Sequence, residues 1–532
     1  MDKDTQEVNA ELKLRYLSFL NSIRDKEVDV QLCDNIAVKG NFIGMQRNGE
    51  HFLLKPLTTP TGQLDSGVIR TKDTSEMDVV GVLKVYKWLA DSYMVDFFVE
   101  DNWQKLQKSW RDYFDTFSDE DVVVFVRHLL NPASSTWPNL SSPPPLSLIS
   151  LKNVAFSLSV PFFKPVESLK ELATHFEIDT DKNFTDVCVE LDSKKRLKIK
   201  DKKIHEIGRI LDLTTLVIES AKAKKEEIDE VVDVGAGLGH LSRVLSMYLD
   251  KKVRTIEGDE QLVHRALTID AKVSKGEMEM PDRISAYIKS EEEIQQTQNA
   301  LLIGCHTCGD LAPTIIRHYK NNTSAKALVH FGCCYHKMNG GLDKPFRVET
   351  KEPFKPAEDG FPLNKKYSEV EISYMARELA CFSYGQFVDK IGENENQFYV
   401  NGSRAALEYL IVNILGKRDW RHSKMVGVKN GHLMDFWEYA SKTAKHNPQV
   451  IQLLEENKLD NDINKQINQL LSVSRTQVPV FYALRLLIAP LIETVILYDR
   501  QEYLKEHGIT SKLIPLFNPN ISPRNTALIS IK

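Results

Sequence analysis

The chain has 532 residues, 42% of them hydrophobic and 27% charged, which describes a globular protein too long for one ordinary core, so two to four domains are expected. A net charge of −5 excludes a global pull toward nucleic acid, and any such contact has to come from a local basic patch. No apolar segment follows a basic start and no apolar run reaches spanning length, so no membrane and a cytoplasmic or nuclear location are expected.

From Glu7 to Lys26 the residues Val8, Leu12, Tyr16, Phe19, Leu20 and Ile23 fall at helical spacing and predict an opening helix. Short alternating runs follow at 27–33, 36–45, 51–57 and 67–70, with turn signals at Asp34-Asn35, Asn48-Gly49 and Thr59 to Gly62. A helix followed by about five short strands predicts a small, strongly bent antiparallel barrel over residues 1–80. The stretches Leu14 to Leu20, Val38-x-Gly40-x-Phe42 and Leu57 to Gly62 resemble the Sm fold, and more closely the gemin-seven subunit of the SMN complex. That resemblance implies a gemin-six-like Sm-fold partner met through an exposed strand edge, within SMN-complex and snRNP assembly. Direct RNA binding by this module is not expected, because Arg70 is followed by Thr71 rather than glycine and residues 1–80 carry 13 acidic against 10 basic side chains.

Residues 81–200 read as a helical subdomain. Val82 to Phe98, Trp103, Leu106 and Trp110 supply aromatic packing material, Asn131 to Leu146 is a Pro/Ser-rich loop, and a helix is expected near 166–176. Lys194 to Lys203 is the most basic run of the chain and lies just before the next helix, where a phosphate-bearing substrate could meet it.

The stretch Val231 to Arg243 (VVDVGAGLGHLSR) organises the rest. An apolar run ends in Asp233, three alternate glycines follow at Gly235, Gly237 and Gly239, and an amphipathic run begins at Leu238. That order predicts strand, tight turn and helix, with the turn at the carboxyl end of a sheet strand where open α/β folds bind ligands. A dinucleotide fold would want G-x-G-x-x-G, but His240 stands where the last glycine belongs. The run Lys252 to Glu257 places Glu257 at the end of the next strand. Regular alternation continues with strands near 283–287, 299–305 and 326–332 and helices at 260–270 and 310–320, which predicts a mostly parallel sheet covered on both faces. Farther on, 343–362 reads as an irregular insertion. Helices are expected at 370–382 and 403–415, then one from Val480 to Lys505 kinked or broken at Pro490, and a last strand at 512–517.

Two of these strands end in reactive residues, Gly304 to Asp310 (GCHTCGD) and Phe331 to His336 (FGCCYH). As neighbours they would bring His306, Cys308, Asp310, Cys333, Cys334, Tyr335 and His336 around one pocket. Such groups can orient a substrate or accept its proton. They could also bind zinc, but paired C-x-x-C ligands are missing and no metal is assigned. With seven cysteines in all, the cluster reads as reduced thiols near a site rather than disulfides.

The glycine turn resembles the first motif of class I S-adenosylmethionine-dependent methyltransferases. In that resemblance Asp233 faces the methionine end of the cofactor and Glu257 accepts the ribose hydroxyls, with Gly235, Gly237 and Gly239 shaping the turn. Over a longer span, from about Val82 to the C-terminus, the chain is similar to the methyltransferase-like twenty-five group, some of whose members are labelled ribosomal-RNA adenine dimethylase-domain proteins. The stretches that carry this likeness are Asp96 to Asp101, Lys202 to Glu206, Asp233 to Arg243, Ile256 to Gly258, His306 to Leu311, Gly332 to Lys337, Ser403 to Leu407 and Ser522 to Asn525. The histidine-x-cysteine-glycine and double-cysteine pieces also resemble a eukaryotic tRNA ribose methyltransferase family and imply an RNA substrate. The expectation is therefore a multidomain chain, an Sm-like β-barrel with an N-terminal helix joined to a Rossmann-like α/β class I methyltransferase over 201–532 with helical additions. His306, Asp310, Tyr335 and His336 are its expected catalytic side. The alternative is an assembly protein whose methyltransferase-like part is silent.

Overall fold

A computed structural model of the chain describes residues 20, 24–32, 36–46, 51–60, 62–70, 79–134, 137–138, 140, 142–185, 199–274, 279–288, 290–294, 298–339, 360–382 and 397–532. Most of the opening helix expected over 7–26, most of the 343–362 insertion and the first part of the basic run fall outside the described residues; of that helix Leu20 is helical and residues 24–26 form a turn, Asp25 with φ +61°. The chain divides into two compact units, one of 1–88, 92–158 and 393–487, the other of 89–91, 159–392 and 488–532. This division departs from the linear one at 80 and 200, because 393–487 leaves the sheet-bearing part and joins the first unit.

In the first unit, strands β1 (Glu27–Leu32), β2 (Ile36–Met45), β3 (His51–Thr59), β4 (Gly62–Leu64) and β5 (Gly67–Arg70) form one antiparallel sheet in the order β1-β2-β3-β4, with β5 also on β3. The strand positions match the alternating runs of the sequence. Val38, Phe42, Phe52, Leu54, Leu57 and Ile69 make its core, and register shifts on either side of Phe42 interrupt the β2–β3 ladder, as bulges do where a strand bends. Gly40 is required there, since a Cβ would lie 2.2 Å from the Pro56 carbonyl oxygen. Among the described residues no ladder joins β5 to β1, so these pairs give a bent antiparallel sheet and do not show the expected barrel.

Helices supply the rest of this unit. Asp119–Leu129 starts at a Ser118–Asp121 capping box, in which two otherwise orphaned N–H groups are satisfied reciprocally. Asp96, from the first of the methyltransferase-like stretches, is buried and serves packing: its Oδ2 lies 2.7 Å from His422 Nε2 and 3.0 Å from Arg421 Nη2. Burial pushes its carboxyl up, but these two partners outweigh burial and leave it below the usual range.

The second unit is built on a seven-stranded sheet of β6 (Glu230–Val234), β7 (Lys252–Glu257), β8 (Asp282–Ser285), β9 (Ala300–Cys308), β10 (Ala325–Cys333), β11 (Ser511–Pro515) and β12 (Thr526–Ile531), in the order β11-β12-β10-β9-β6-β7-β8. The pairs β6–β7, β7–β8, β6–β9 and β9–β10 are parallel, while β12 runs antiparallel to both β10 and β11. The sheet is thus mixed and mostly parallel. Every residue of β6 is buried, as a parallel strand covered on both faces must be. Alternation sorts the side chains: Val231, Leu301, Ile303, Val329 and Ile529 pack on one face with helix Asp201–Ala223, and Val232, Val234, Leu302, Leu328 and Leu528 on the other with helix Leu311–Asn321. Each such side chain contributes about 1.5–3 kcal/mol relative to exposure.

Two expectations fail here. The long C-terminal helix starts at Asn461 and runs unbroken to Glu506 through Pro490. It is also long and apolar enough to cross a membrane by length and composition, contrary to the reading that no run reaches that length, yet 94% of its apolar window is buried inside the protein. Core packing of that extent outweighs the roughly 3 kcal/mol that an interior proline costs.

Candidate functional site

At the carboxyl ends of β6, β7 and β9 the second unit has a cavity of about 800 Å³, walled by residues that include Gly235, Glu257, Tyr287, Cys308, Asp310 and Lys337. The glycine turn forms one edge. Gly235 and Gly237 have φ of +73° and +59°, a region that side chains with a Cβ enter at a cost, and a Cβ on Gly237 would meet nothing within 4 Å. The turn is tied to the next strand twice: Gly235 N–H donates to the Ile256 carbonyl at 2.8 Å, and Gly237 N–H donates to Glu257 Oε2 at 2.7 Å. Glu257 Oε1 accepts from Asp259 N–H at 3.0 Å. The carboxylate is therefore fixed at the cavity wall by backbone donors on both oxygens.

Asp233 and Gly239 sit elsewhere than expected. Asp233 is 2% exposed and its Oδ2 accepts from the Ser242 hydroxyl at 2.5 Å; burial raises its carboxyl. It braces the start of helix His240–Tyr248 from inside and is not on the cavity wall. Gly239, with φ +65°, packs beneath Arg283, whose Nη1 would lie 2.0 Å from an added Cβ. Arg283 and Arg243 share the buried carboxylate of Asp270, at 2.5 and 2.6 Å. His240 lies 3.2 Å from Arg243, and burial and that cation lower its imidazole to about 4, so it is neutral at physiological pH.

The expected catalytic side is divided. Of its four residues only Asp310 lines the cavity, and its Oδ1 accepts from Asn339 N–H at 2.8 Å. His306 bulges out of β9 between Cys305 and Thr307, which pair with Phe331 and Gly332, and takes φ +61°. Its Nε2 lies 3.1 Å from Glu206 Oε2. Glu206, 1% exposed, also accepts from Ser522 Oγ at 2.7 Å and lies 3.3 Å from Lys203 Nζ. Hydrogen bonds to Cys305 and Glu206 raise the His306 imidazole to about 9 against burial. Burial pushes the Glu206 carboxyl up, but His306, Lys203 and Ser522 outweigh it and hold it at about 2. A histidine that is already a cation at neutral pH is no proton acceptor there. Lys203, the end of the basic run, is likewise spent on this network; Lys200 and Lys202 are exposed, Lys202 with its Nζ 3.9 Å from Glu206 Oε1.

Tyr335 is a core residue, 1% exposed. Its hydroxyl donates to Glu493 Oε1 at 2.9 Å, Arg524 Nη1 donates to Glu493 Oε2 at 2.8 Å, and the Arg500 guanidinium lies 5.6 Å from its ring centre. His336 Nδ1 is 3.4 Å from Cys381 Sγ and off the cavity wall. Cys308, Cys333 and Cys334 do come together, with successive sulfur separations of 3.7 Å. Bonds from Cys308 and Cys333 lower the Cys334 thiol, while bonds from Cys308 and Cys334 push Cys333 up.

The residues that sequence reading missed fall into two groups. Glu206 and Ser522 lay inside the stretches Lys202–Glu206 and Ser522–Asn525 without being singled out. Tyr287, 72% exposed on the cavity wall, carried no signal beyond being an aromatic just after a strand.

Residues 202–341 match a family model described as a methyltransferase domain, and residues 4–79 match that of Gem-associated protein 7. Among curated proteins the chain is 31% identical over 260 residues to "Probable methyltransferase-like protein 25" of Homo sapiens and 31% over 254 residues to its Mus musculus counterpart. Each match covers 47% of this chain and 40% of the relative, so the chain spans well under half the length of the curated relatives it matches. Among solved structures, TrmK of M. capricolum with S-adenosyl-homocysteine is 15% identical, covering 20% of this chain and 45% of that one at a TM-score of 0.16. Magnesium protoporphyrin IX methyltransferase of Synechocystis is 15% identical, over 28% and 68%, at 0.20. Likenesses this slight carry no argument about chemistry.

Proposed function

We propose that the second unit binds S-adenosylmethionine at the β6–β7 edge of the cavity and transfers its methyl group to an acceptor entering from the β9–β10 side. The observation that carries this reading is the Glu257 carboxylate, held on the wall of an open cavity by N–H groups of the glycine turn and of Asp259. The residues fit the cofactor: the turn leaves open space over Gly237, the cavity has the volume of small-molecule sites, about 300–1,000 Å³, and Tyr287 offers an exposed ring on which a base can stack. When bound, S-adenosylmethionine supplies a methyl group on a sulfonium. The chain's own residues then have to align the acceptor, and Asp310, on the wall toward β9, is a group that can hold its proton. Glu257, Gly235 and Gly237 bind; Asp233 and Gly239 keep the turn in shape.

The acceptor in this reading is an RNA. Support comes from the likeness of His306–Leu311 and Gly332–Lys337 to a tRNA ribose methyltransferase family and from the exposed Lys200 and Lys202. The Gem-associated protein 7 match over residues 4–79 supports an Sm-like module there, which joins an SMN-type assembly through a strand edge. Isothermal titration with S-adenosylmethionine tests the cofactor claim, with weaker binding by Glu257→Ala expected and unchanged binding counting against it. Nucleoside mass spectrometry of cells with and without the protein tests the acceptor, and an unaltered profile of methylated nucleosides would remove RNA as the target.

A further inference from the structure

Three groups of metal-ligating side chains come together among the described residues: Asp96 with Glu408 and His422, Glu206 with Cys305 and His306, and Cys308 with Cys333 and Cys334. The first two hold a cation of their own. Arg421 lies 3.0 Å from Asp96 and Lys203 3.3 Å from Glu206, so a divalent ion added to either would be repelled by a charge already in place. In the thiol group the ligand atoms are sulfurs, and the nearby Lys337 is exposed.

The fold builds that group deliberately. Cys308 ends β9 and Cys333 ends β10, and the two are paired in the parallel ladder. Cys334 takes φ +51°, a left-handed conformation that a residue with a Cβ enters at a cost and that brings a second sulfur from the same strand end to the same point. Gly309, φ +59°, lets the turn after β9 close on the one after β10, since a Cβ would lie 2.7 Å from the Lys337 carbonyl oxygen. The sulfurs of Cys308 and Cys333 are 3.7 Å apart, those of Cys333 and Cys334 also 3.7 Å, and all three lie within 4.8 Å of one another. Thiolates about 2.3 Å from a tetrahedral zinc ion are separated by roughly 3.8 Å. Two edges of that tetrahedron are already present.

The geometry points to a zinc site in which Cys308, Cys333 and Cys334 supply three thiolates to one ion and a water takes the fourth position. Three protein ligands with an open fourth place is the arrangement of zinc sites that exchange a ligand. Because Cys308 also lines the cavity, the ion adjoins the space where an acceptor would enter. The spacing of cysteines along the chain hid this site, since two ligands are adjacent and the third is on another strand. The inference does not rest on methyl transfer, and either can fail alone.

Elemental analysis of the full chain, purified under reducing conditions with zinc and then freed of loose metal, is expected to find about one zinc per chain, falling to below about 0.2 in Cys308→Ser and in Cys334→Ser. Refilling the unmutated chain with cobalt(II) is expected to give the sulfur-to-metal charge-transfer band of thiolate coordination, a reading that does not depend on any variant folding. Less than about 0.1 zinc in the unmutated chain, or cobalt without that band, would overturn the site. So would loss of the ion in Cys305→Ala with retention in Cys334→Ser, which would assign the metal to the Glu206 group, or a Cys308–Cys333 disulfide found by mass spectrometry of the reduced preparation.

Discussion

The two ends of one sheet edge are made by different means. Where β6 and β7 end, the backbone does the shaping: glycines at positive φ turn the chain, and the Gly237 N–H holds Glu257, 20 residues on. Where β9 and β10 end, side chains do it, and their partners come from far along the chain. His306 meets Glu206 across 100 residues, Tyr335 meets Glu493 across 158, and His336 meets Cys381 across 45. The first kind of site is written in a short motif. In the second, residue type alone cannot tell a reactive group from one already committed to packing.

The contrast can be broken most sharply at Tyr335. Arg524→Ala leaves the buried Glu493 carboxylate without the cation that bonds it and is expected to cost about 3–5 kcal/mol, seen as a large fall in the midpoint of thermal unfolding. Tyr335→Phe is expected to cost about 1–3 kcal/mol by removing one hydroxyl from the same network. If Tyr335→Phe instead abolished methyl transfer and left unfolding unchanged, the tyrosine would belong to the reacting side after all. At the other end, Glu257→Ala removes a charged acceptor, so S-adenosylmethionine affinity should fall by about 10- to 100-fold with little change in unfolding. His306→Ala should leave that affinity within about twofold.

Gly239→Ala separates the turn's packing from its ligand surface. A left-handed alanine costs about 1–2 kcal/mol, and the displaced Arg283 adds to it, so stability should fall by more than in Gly237→Ala, where a Cβ meets open space. The last effect is a pH dependence. His306, raised to about 9, stabilises the fold fully below its ordinary 6.5 and loses that contribution as pH rises through about 9. Glu206, lowered to about 2, contributes fully above its ordinary 4.5 and loses it as pH falls through about 2. The pair is thus strongest between about 4.5 and 6.5, and the unfolding midpoint should decline between about pH 7 and about pH 9.5 in the unmutated chain but much less in Glu206→Gln.

The same division explains what the sequence made legible. The α/β alternation from Glu230 to Cys333 was readable because each strand is a short apolar run bounded by glycine or charge, and the five N-terminal strands because turn signals frame them. Strand β12 was not read, although its six residues are buried almost throughout: a short apolar run has no period of its own, and only its insertion between β10 and β11 makes it a strand. The helix from Asn461 was cut short at its polar first turns and at Pro490 because burial, which keeps it whole, is a property of its surroundings. Asp233 was recognised by position, but its bond to Ser242, nine residues on, could not be read from the motif.

The account rests on where the cofactor lies. Ultraviolet crosslinking of the full chain with labelled S-adenosylmethionine, followed by peptide mapping, reads that place directly. Label on Tyr287 or on the peptides that carry Gly235 and Glu257, competed away by S-adenosylhomocysteine, is the predicted result; label confined to peptides that do not border the cavity, or none that competes, would contradict it.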